Sequence, residues 1–213
     1  GVVVAFHVRL YPKPAVAAGC LYVYPLELLE PVYRPALGIG HQVDRRVEFQ
    51  MLMSRAFHGL DVQQPAIVIG SPVFAETQAE AEQALELIGT CPVRSEALID
   101  VPFMPATMAL WYEAVMQEYP DNHRYATDNM WTSAGFDDLL PGLQRIADTL
   151  PPPPSHALWM NWGPSPQRPD MAYSMEDDIY LALYGVWQDE ADDAEHASWA
   201  EENMRLMQPH ATG

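Results

Sequence analysis

Three stretches place hydroxyl, amide and indole groups at alternate positions, the spacing that lines one face of a β-strand. They are Tyr125, Asn129 and Trp131; Trp159 and Asn161; and Tyr180 and Tyr184, with Glu48 and Gln50 as a fourth contribution. Rings with polar tips suit a surface that touches a ligand or another domain. The ring supplies contact area and the tip a directional hydrogen bond. Together they predict a small-molecule platform on one sheet face. The same pattern is equally what a sheet sandwiched between two layers would show, because Tyr and Trp often simply pack.

Other chemistries find little support. Gly38-Ile39-Gly40 lacks the third glycine of a dinucleotide fingerprint and follows a helix, so it reads as a turn. The seven histidines never fall at i,i+4 or as His-x-His, which argues against a metal site. Glu176, Asp177 and Asp178 enter a strand as a run of acids, a pattern usually solvated. Cys20 and Cys91 lie far apart with no Cys-x-x-Cys, and no Gly-x-Ser-x-Gly appears. The eleven methionines suit gaps in a core. A net charge of −18 leaves no basic patch for nucleic acid. Neither an apolar run of membrane length nor a signal peptide is present, so the expectation is a cytoplasmic protein that does not enter a membrane. A chain opening Gly-Val-Val-Val without Met reads as part of something longer.

The elements that must position these groups follow from periodicity. Residues 1–10 read as a strand ended by Pro12 and Pro14. Strands are expected near 19–24, 47–54, 66–70, 93–99, 124–132, 156–163 and 178–187. Between the last two lies a Pro-rich loop. Helices are expected around 26–38, from the Thr77–Glu80 capping box to Gly89, over the Met108, Trp111, Tyr112, Val115, Met116 face, from Asp137 to Leu150, and from 191 to 207. Residues 19–99 give β-α-β-β-α-β and residues 124–207 give β-α-β-β-α. The predicted fold is therefore α+β: ferredoxin-like βαββαβ repeats forming one large, mainly antiparallel sheet with helices on one face. In this reading Tyr125, Trp131, Trp159, Tyr180 and Tyr184 share the uncovered face, while Leu158, Leu181 and Leu183 face the helices.

Residues 1–12, G-V-V-V-A-F-H-V-R-L-Y-P, resemble the G-V-V-T-x-F-x-x-x-L-x-P end of the FAD-binding domain in the vanillyl-alcohol-oxidase superfamily. The match is to its berberine-bridge-enzyme-like, FAD-linked oxidase branch. Tyr24-Pro25-Leu26, the Met104–Trp111 segment, Arg124-Tyr125, and Trp199 with Leu206 and Pro209 fall in the order of that branch's substrate domain. The resemblance implies an antiparallel sheet roofing a flavin ring, with the substrate between sheet and isoalloxazine. It also implies two parts: residues 1–12 as the last strand of a FAD-binding domain, and 13–213 as a substrate-binding domain whose last strand would follow Gly213. Three positions depart from the pattern. Trp162-Gly163-Pro164 stands where relatives carry a Gly-Gly turn, and Asp177-Asp178 where many carry His-Arg. Asn161 matches a position that holds a catalytic Glu in some plant relatives, and an amide cannot act as a general base.

The expected function is that of a substrate-binding domain in an FAD-dependent oxidoreductase, positioning a small organic substrate for hydride transfer to FAD. The substrate contacts are then Tyr125, Asn129, Trp131, Trp159, Asn161, Tyr180, Tyr184, Glu48 and Gln50, with a Tyr or Glu48 as proton acceptor. FAD would be held mainly by an N-terminal domain of the same parent chain, and this stretch alone would be inactive and free of flavin. A homodimer through the exposed sheet face is a further expectation. The alternative is a non-catalytic α+β ligand-binding or dimerisation module, which the same fold also serves.

Overall fold

The computed structural model describes residues 4–8, 10, 12–163 and 175–213. Seven strands, β1 Val16–Pro25, β2 Phe49–Ser54, β3 Ala66–Ala75, β4 Ile99–Pro105, β5 Arg124–Thr132, β6 His156–Asn161 and β7 Ile179–Trp187, form one sheet. Its order is β4-β1-β3-β2-β6-β7-β5, and every neighbouring pair is antiparallel. The helices are α1 Leu29–Ile39, α2 Gln78–Leu85, α3 Met108–Gln117, α4 Phe136–Asp148, α5 Asp193–His196 and α6 Trp199–Met207. No helix among the described residues is long and apolar enough to cross a membrane.

The alternation along each strand divides the sheet into two unlike faces. Tyr22, Met51, Met53, Ile67, Ile69, Trp159, Leu181 and Leu183 are buried in one core with residues of α1, α2, α4 and α6. α4 shows why the sequence folds this way: Phe136, Leu139, Leu143 and Ile146 recur at helical spacing and are buried, while Asp137 and Asp138 sit in the positively polarised first turn. On the opposite face Val23, Ala66 and Val68 form a smaller core with Phe57 and Val62 of the 55–65 loop. α3 also lies on this second face. Trp111 comes so close to Gly19 that a Cβ there would meet the indole ring and the Ser71 carbonyl oxygen. The second face is thus covered in part by the chain's own loop and helix, where the sequence left it bare.

β1 and β3 run longer than the expected 19–24 and 66–70, β2 starts at Phe49 rather than at 47, and four further differences have a local cause or extent. The strand expected at 93–99 begins only at Ile99, because Arg94–Glu96 form a 3-10 turn. There the Arg94 guanidinium pairs with Asp100 at 2.9 Å and lies over the Tyr22 ring. β4 is an edge strand, which is why it tolerates Pro102 and Pro105 and reads poorly as a strand. α2 stops at Leu85 rather than at Gly89, with a 3-10 turn over Ile88–Thr90 that buries Ile88. The last helix is split, since Asp193 at the start of α5 is held by Arg124 at 2.6 Å and the Trp187 indole at 2.7 Å, while Trp199 opens α6 into the core. Residues 4–8 and 10 carry no strand, and Val4, Phe6, Val8 and Leu10 are exposed; the rest of the 1–10 expectation lies outside the described residues. So does most of the expected loop between β6 and β7.

The capping box is present in full: the Thr77 hydroxyl accepts from the Glu80 N–H at 3.2 Å, and Glu80 accepts from the Thr77 N–H at 3.1 Å. Thr77→Ala is therefore expected to lower stability by about 1 kcal/mol. The urea midpoint would check it, with Thr77→Ser as a near-neutral control.

Candidate functional site

Pairing across the sheet decides which predicted residues meet. Partners in adjacent antiparallel strands share a face, and Trp131 pairs with Tyr180, Asn129 with Ala182 and Thr127 with Tyr184. Tyr125, Asn129, Trp131, Tyr180 and Tyr184 therefore do share the second face. Trp131 packs against Trp162 and Tyr180, with ring centroids 5.1 and 5.0 Å away. Its indole side chain is buried, and its backbone pairs with Thr212 and Gly213 along the outer edge of β5. Tyr125 is exposed and donates to the Pro120 carbonyl at 2.6 Å. Asn129 is exposed near the same edge, beside Thr212 and Gly213.

Trp159 and Asn161 fall on the other side. Trp159 pairs with Leu181 and with Met51, and Asn161 with Ile179 and Phe49, which turns all of them toward the helices. Trp159 is fully buried and meets Tyr33 of α1 edge-on at 5.4 Å. Its indole donates to the Asn161 amide oxygen at 2.5 Å, and the Asn161 amide donates to the Ala36 carbonyl at 2.9 Å. This pair fastens α1 to the sheet. The residues β6 gives to the second face are instead Leu158 and Met160, which the sequence reading had assigned the opposite way.

Between the second face, α3 and the 55–65 loop lies a cavity of about 530 Å3. Its floor is Leu21, Leu52, Val68, Gly70, Leu158 and Met160, and Glu48 and Gln50 stand at one side. Phe57, His58 and Leu60 come from the loop, and Trp111, Val115, Gln117, Glu118 and Tyr119 from α3 and its end. The lining is mostly apolar, with a few polar groups and, among the described residues, no lysine or arginine. Gln50 is oriented by donating to the Gly70 carbonyl at 3.0 Å. The Trp111 indole nitrogen is buried with no partner.

Two carboxyls line this cavity. The lack of water around Glu118 pushes it up to about 7, although a backbone N–H from His58 pulls the other way. Glu48 is exposed at its outer edge, yet its apolar surroundings still hold it above the ordinary carboxylate range. Beside Glu118, burial likewise keeps the Tyr119 phenol protonated. Behind Tyr119 stands buried His156, stacked on Tyr184 with ring centroids 4.8 Å apart. The His156 Nδ1 lies 2.9 Å from the Pro154 carbonyl, an acceptor, so the ring's proton sits there. Nε2, 3.3 Å from the Tyr119 hydroxyl, is left to accept from it. Burial keeps this imidazole neutral. Tyr184 thus supports the cavity wall through Tyr119, their rings 5.1 Å apart.

Of the predicted contacts, the cavity brings together Glu48 and Gln50, with Tyr184 one residue behind the wall. Sequence reasoning missed Glu118, Tyr119, Trp111, His58 and the aliphatic floor. The α3 pattern held a usable signal, because Trp111 and Val115 share its apolar face and Glu118-Tyr119-Pro120 marks its end. The 55–65 loop has no periodicity and gave none.

No family model matches the chain. It is 25% identical over 215 residues to the FAD-linked oxidoreductase ptmO of Penicillium ochrochloron, covering 100% of this chain and 46% of that protein. It is 25% identical over 216 residues to the FAD-linked oxidoreductase penO of Penicillium crustosum, with the same coverage. Among solved structures, 6-hydroxy-D-nicotine oxidase from Arthrobacter nicotinovorans matches with a TM-score of 0.72 at 10% identity, over 97% of this chain and 46% of that one. The chain spans about half the length of the curated relatives it matches. It is related in sequence to FAD-linked oxidoreductases, and its seven-stranded α+β fold is shared with berberine bridge enzyme, with a TM-score of 0.71 at 9% identity over 96% of this chain and 43% of that one.

Proposed function

We propose that this chain is the substrate-binding part of an FAD-dependent oxidoreductase, with the cavity under α3 as the place where a small organic substrate is held. The observation that carries the reading is an apolar cavity built against one face of a sheet, with isolated polar groups at its wall. Relatedness to FAD-linked oxidoreductases supports the reaction class.

The residues present suit part of the cofactor. A flat, largely apolar ring system matches the rings and thioether on the second face, namely Tyr180, Trp162 and Met160. The two phosphates find no match at this cavity: the α3 N-terminus is capped by Thr107, and no lysine or arginine among the described residues lines it. Their contacts would come from elsewhere in the parent protein. Flavin, when bound, supplies the acceptor for a substrate hydride. This chain's part is to orient the substrate against Leu158 and Met160, exclude water, and offer a Glu118 carboxylate oxygen that can hold a proton near neutral pH.

The full-length parent is expected to be yellow, while the 213-residue chain alone stays colourless after gel filtration. In the parent, Tyr184→Phe should slow flavin reduction less than loss of Glu118, because Tyr184 acts through Tyr119. Anaerobic stopped-flow at the flavin band reads both. A full-length protein without flavin, or stoichiometric flavin on this chain alone, would overturn the reading.

A further inference from the structure

We propose that the cavity selects its substrate by charge: it takes a largely apolar alcohol or amine and rejects organic acids, with Glu118 as the discriminating residue. The inference rests on the reading of this cavity as the substrate site. Three features of the wall carry it.

The first is the composition of the floor. Leu21, Leu52, Val68, Leu158 and Met160 offer no hydrogen bond, so they favour an apolar body over a sugar-like one. The second is the sign of the charge. Among the described residues the charged side chains at the wall are Glu48 and Glu118, His58 is the one basic ionisable side chain, and there is no lysine or arginine. A carboxylate entering here would lose its water and meet two like charges, with no cation to offset either cost. The third is placement. Glu118 sits at the end of α3, flanked by Gln117 and Tyr119, with the His58 backbone N–H already on its carboxyl. Tyr119 has its proton directed to His156, away from an incoming donor. Glu118 is then the acceptor for an alcohol O–H or an ammonium N–H.

The groups facing Glu118 also define its pH dependence. Glu48 faces it from the approach to β2, His58 from the loop, Tyr119 from the same turn, and Tyr180, Tyr184 and His156 from behind Tyr119. Glu48 shares its sign, and burial keeps Tyr119 and His156 neutral. Glu118 is the carboxyl that burial brings up to about 7. Preference for an amine should therefore grow as pH rises through about 7.

The test uses the full-length protein and three probes that share one ring: 2-naphthylmethylamine, 2-naphthylmethanol and 2-naphthoate, with binding read by calorimetry. At pH ~8 the naphthoate should bind about tenfold or more weakly than the amine. Lowering the pH to ~5.5 should narrow that gap. Glu118→Gln should narrow it at pH ~8 and remove its pH dependence, while Glu48→Gln leaves most of both. Folding is checked separately: a raised carboxyl binds its proton more tightly in the native state, so melting temperature should fall between pH ~5 and ~8, and Glu118→Gln should flatten that fall. Equal binding of naphthoate and amine in the parent protein overturns the inference, as does an unchanged gap in Glu118→Gln or one carried by Glu48. Flavin absorbance of the same preparation reports separately on the oxidoreductase reading.

Discussion

Trp159→Ala is expected to remove about 3–5 kcal/mol of stability, a large fraction of what holds a domain of this size together. The side chain is 1% exposed and lies where β6 meets α1. Its loss would leave a ring-sized void among Tyr33, Met51 and Leu181, and would strand the Asn161 amide oxygen. Asn161→Ala should cost less, about 1–3 kcal/mol, because it leaves the Trp159 N–H and the Ala36 carbonyl unpaired in the interior. Leu158→Ala, one residue away, should cost less than Trp159→Ala, since Leu158 is half-buried and already borders a cavity. Urea unfolding of the three variants gives the order. If Trp159→Ala melts with the parent while Leu158→Ala collapses, the phase of β6 is the reverse of that described here. Ligand binding gives the opposite pattern: Leu158→Ala should weaken the naphthalene probes directly.

Gly19→Leu is the second large effect. The Gly19 Cβ position lies 2.7 Å from the Ser71 carbonyl oxygen and closer still to the Trp111 ring. The carbonyl is fixed by the β1–β3 ladder, in which Gly19 pairs with Pro72, so it cannot retreat without breaking strand pairing. Trp111 must leave instead, and α3 with it. α3 buries no residue fully and shows Met108, Leu110 and Tyr112 to the outside, so Trp111 is its chief attachment to the sheet. Overpacking of this kind costs about 1–3 kcal/mol where the structure yields. The larger consequence is the cavity, which loses its α3 wall and with it Glu118 and Tyr119. Naphthalene binding is expected to fall about tenfold or more, and tryptophan emission to shift to the red as Trp111 meets water. Gly19→Ala should show the same changes in smaller measure. Unaltered binding with an unaltered emission maximum would mean that α3 is not anchored at this point.

Periodicity was enough to read most of the architecture. The alternation in 47–54 and 178–187, the capping box at Thr77 and the aspartates before Leu139 are local signals, each produced by forces within a few residues. They located six of the seven strands, the four helices of the main core and a single antiparallel sheet. β4 escaped because an edge strand needs only one partner, and so tolerates the prolines that disguise it. The candidate site was legible only in part. Glu48, Gln50 and Tyr184 alternate on strands, whereas His58, Glu118 and Tyr119 sit in a loop and at a helix end, where residue type carries no period.

What the sequence determined by itself is the pattern within each strand: Trp159 and Asn161 must lie opposite Leu158 and Met160, and Tyr180 and Tyr184 opposite Leu181 and Leu183. Only the tertiary structure decided the phase between strands. Hydrogen bonding set Trp159 across from Leu181 and Met160 across from Tyr180, so the large ring went inward and the aliphatic residues became the cavity floor. The physical reason is that a tryptophan whose single N–H finds an amide partner satisfies the core as well as a leucine does. Side-chain type therefore could not say which face of β6 was buried, and the choice fell to whichever register let α1, the sheet and Asn161 close around Trp159 together.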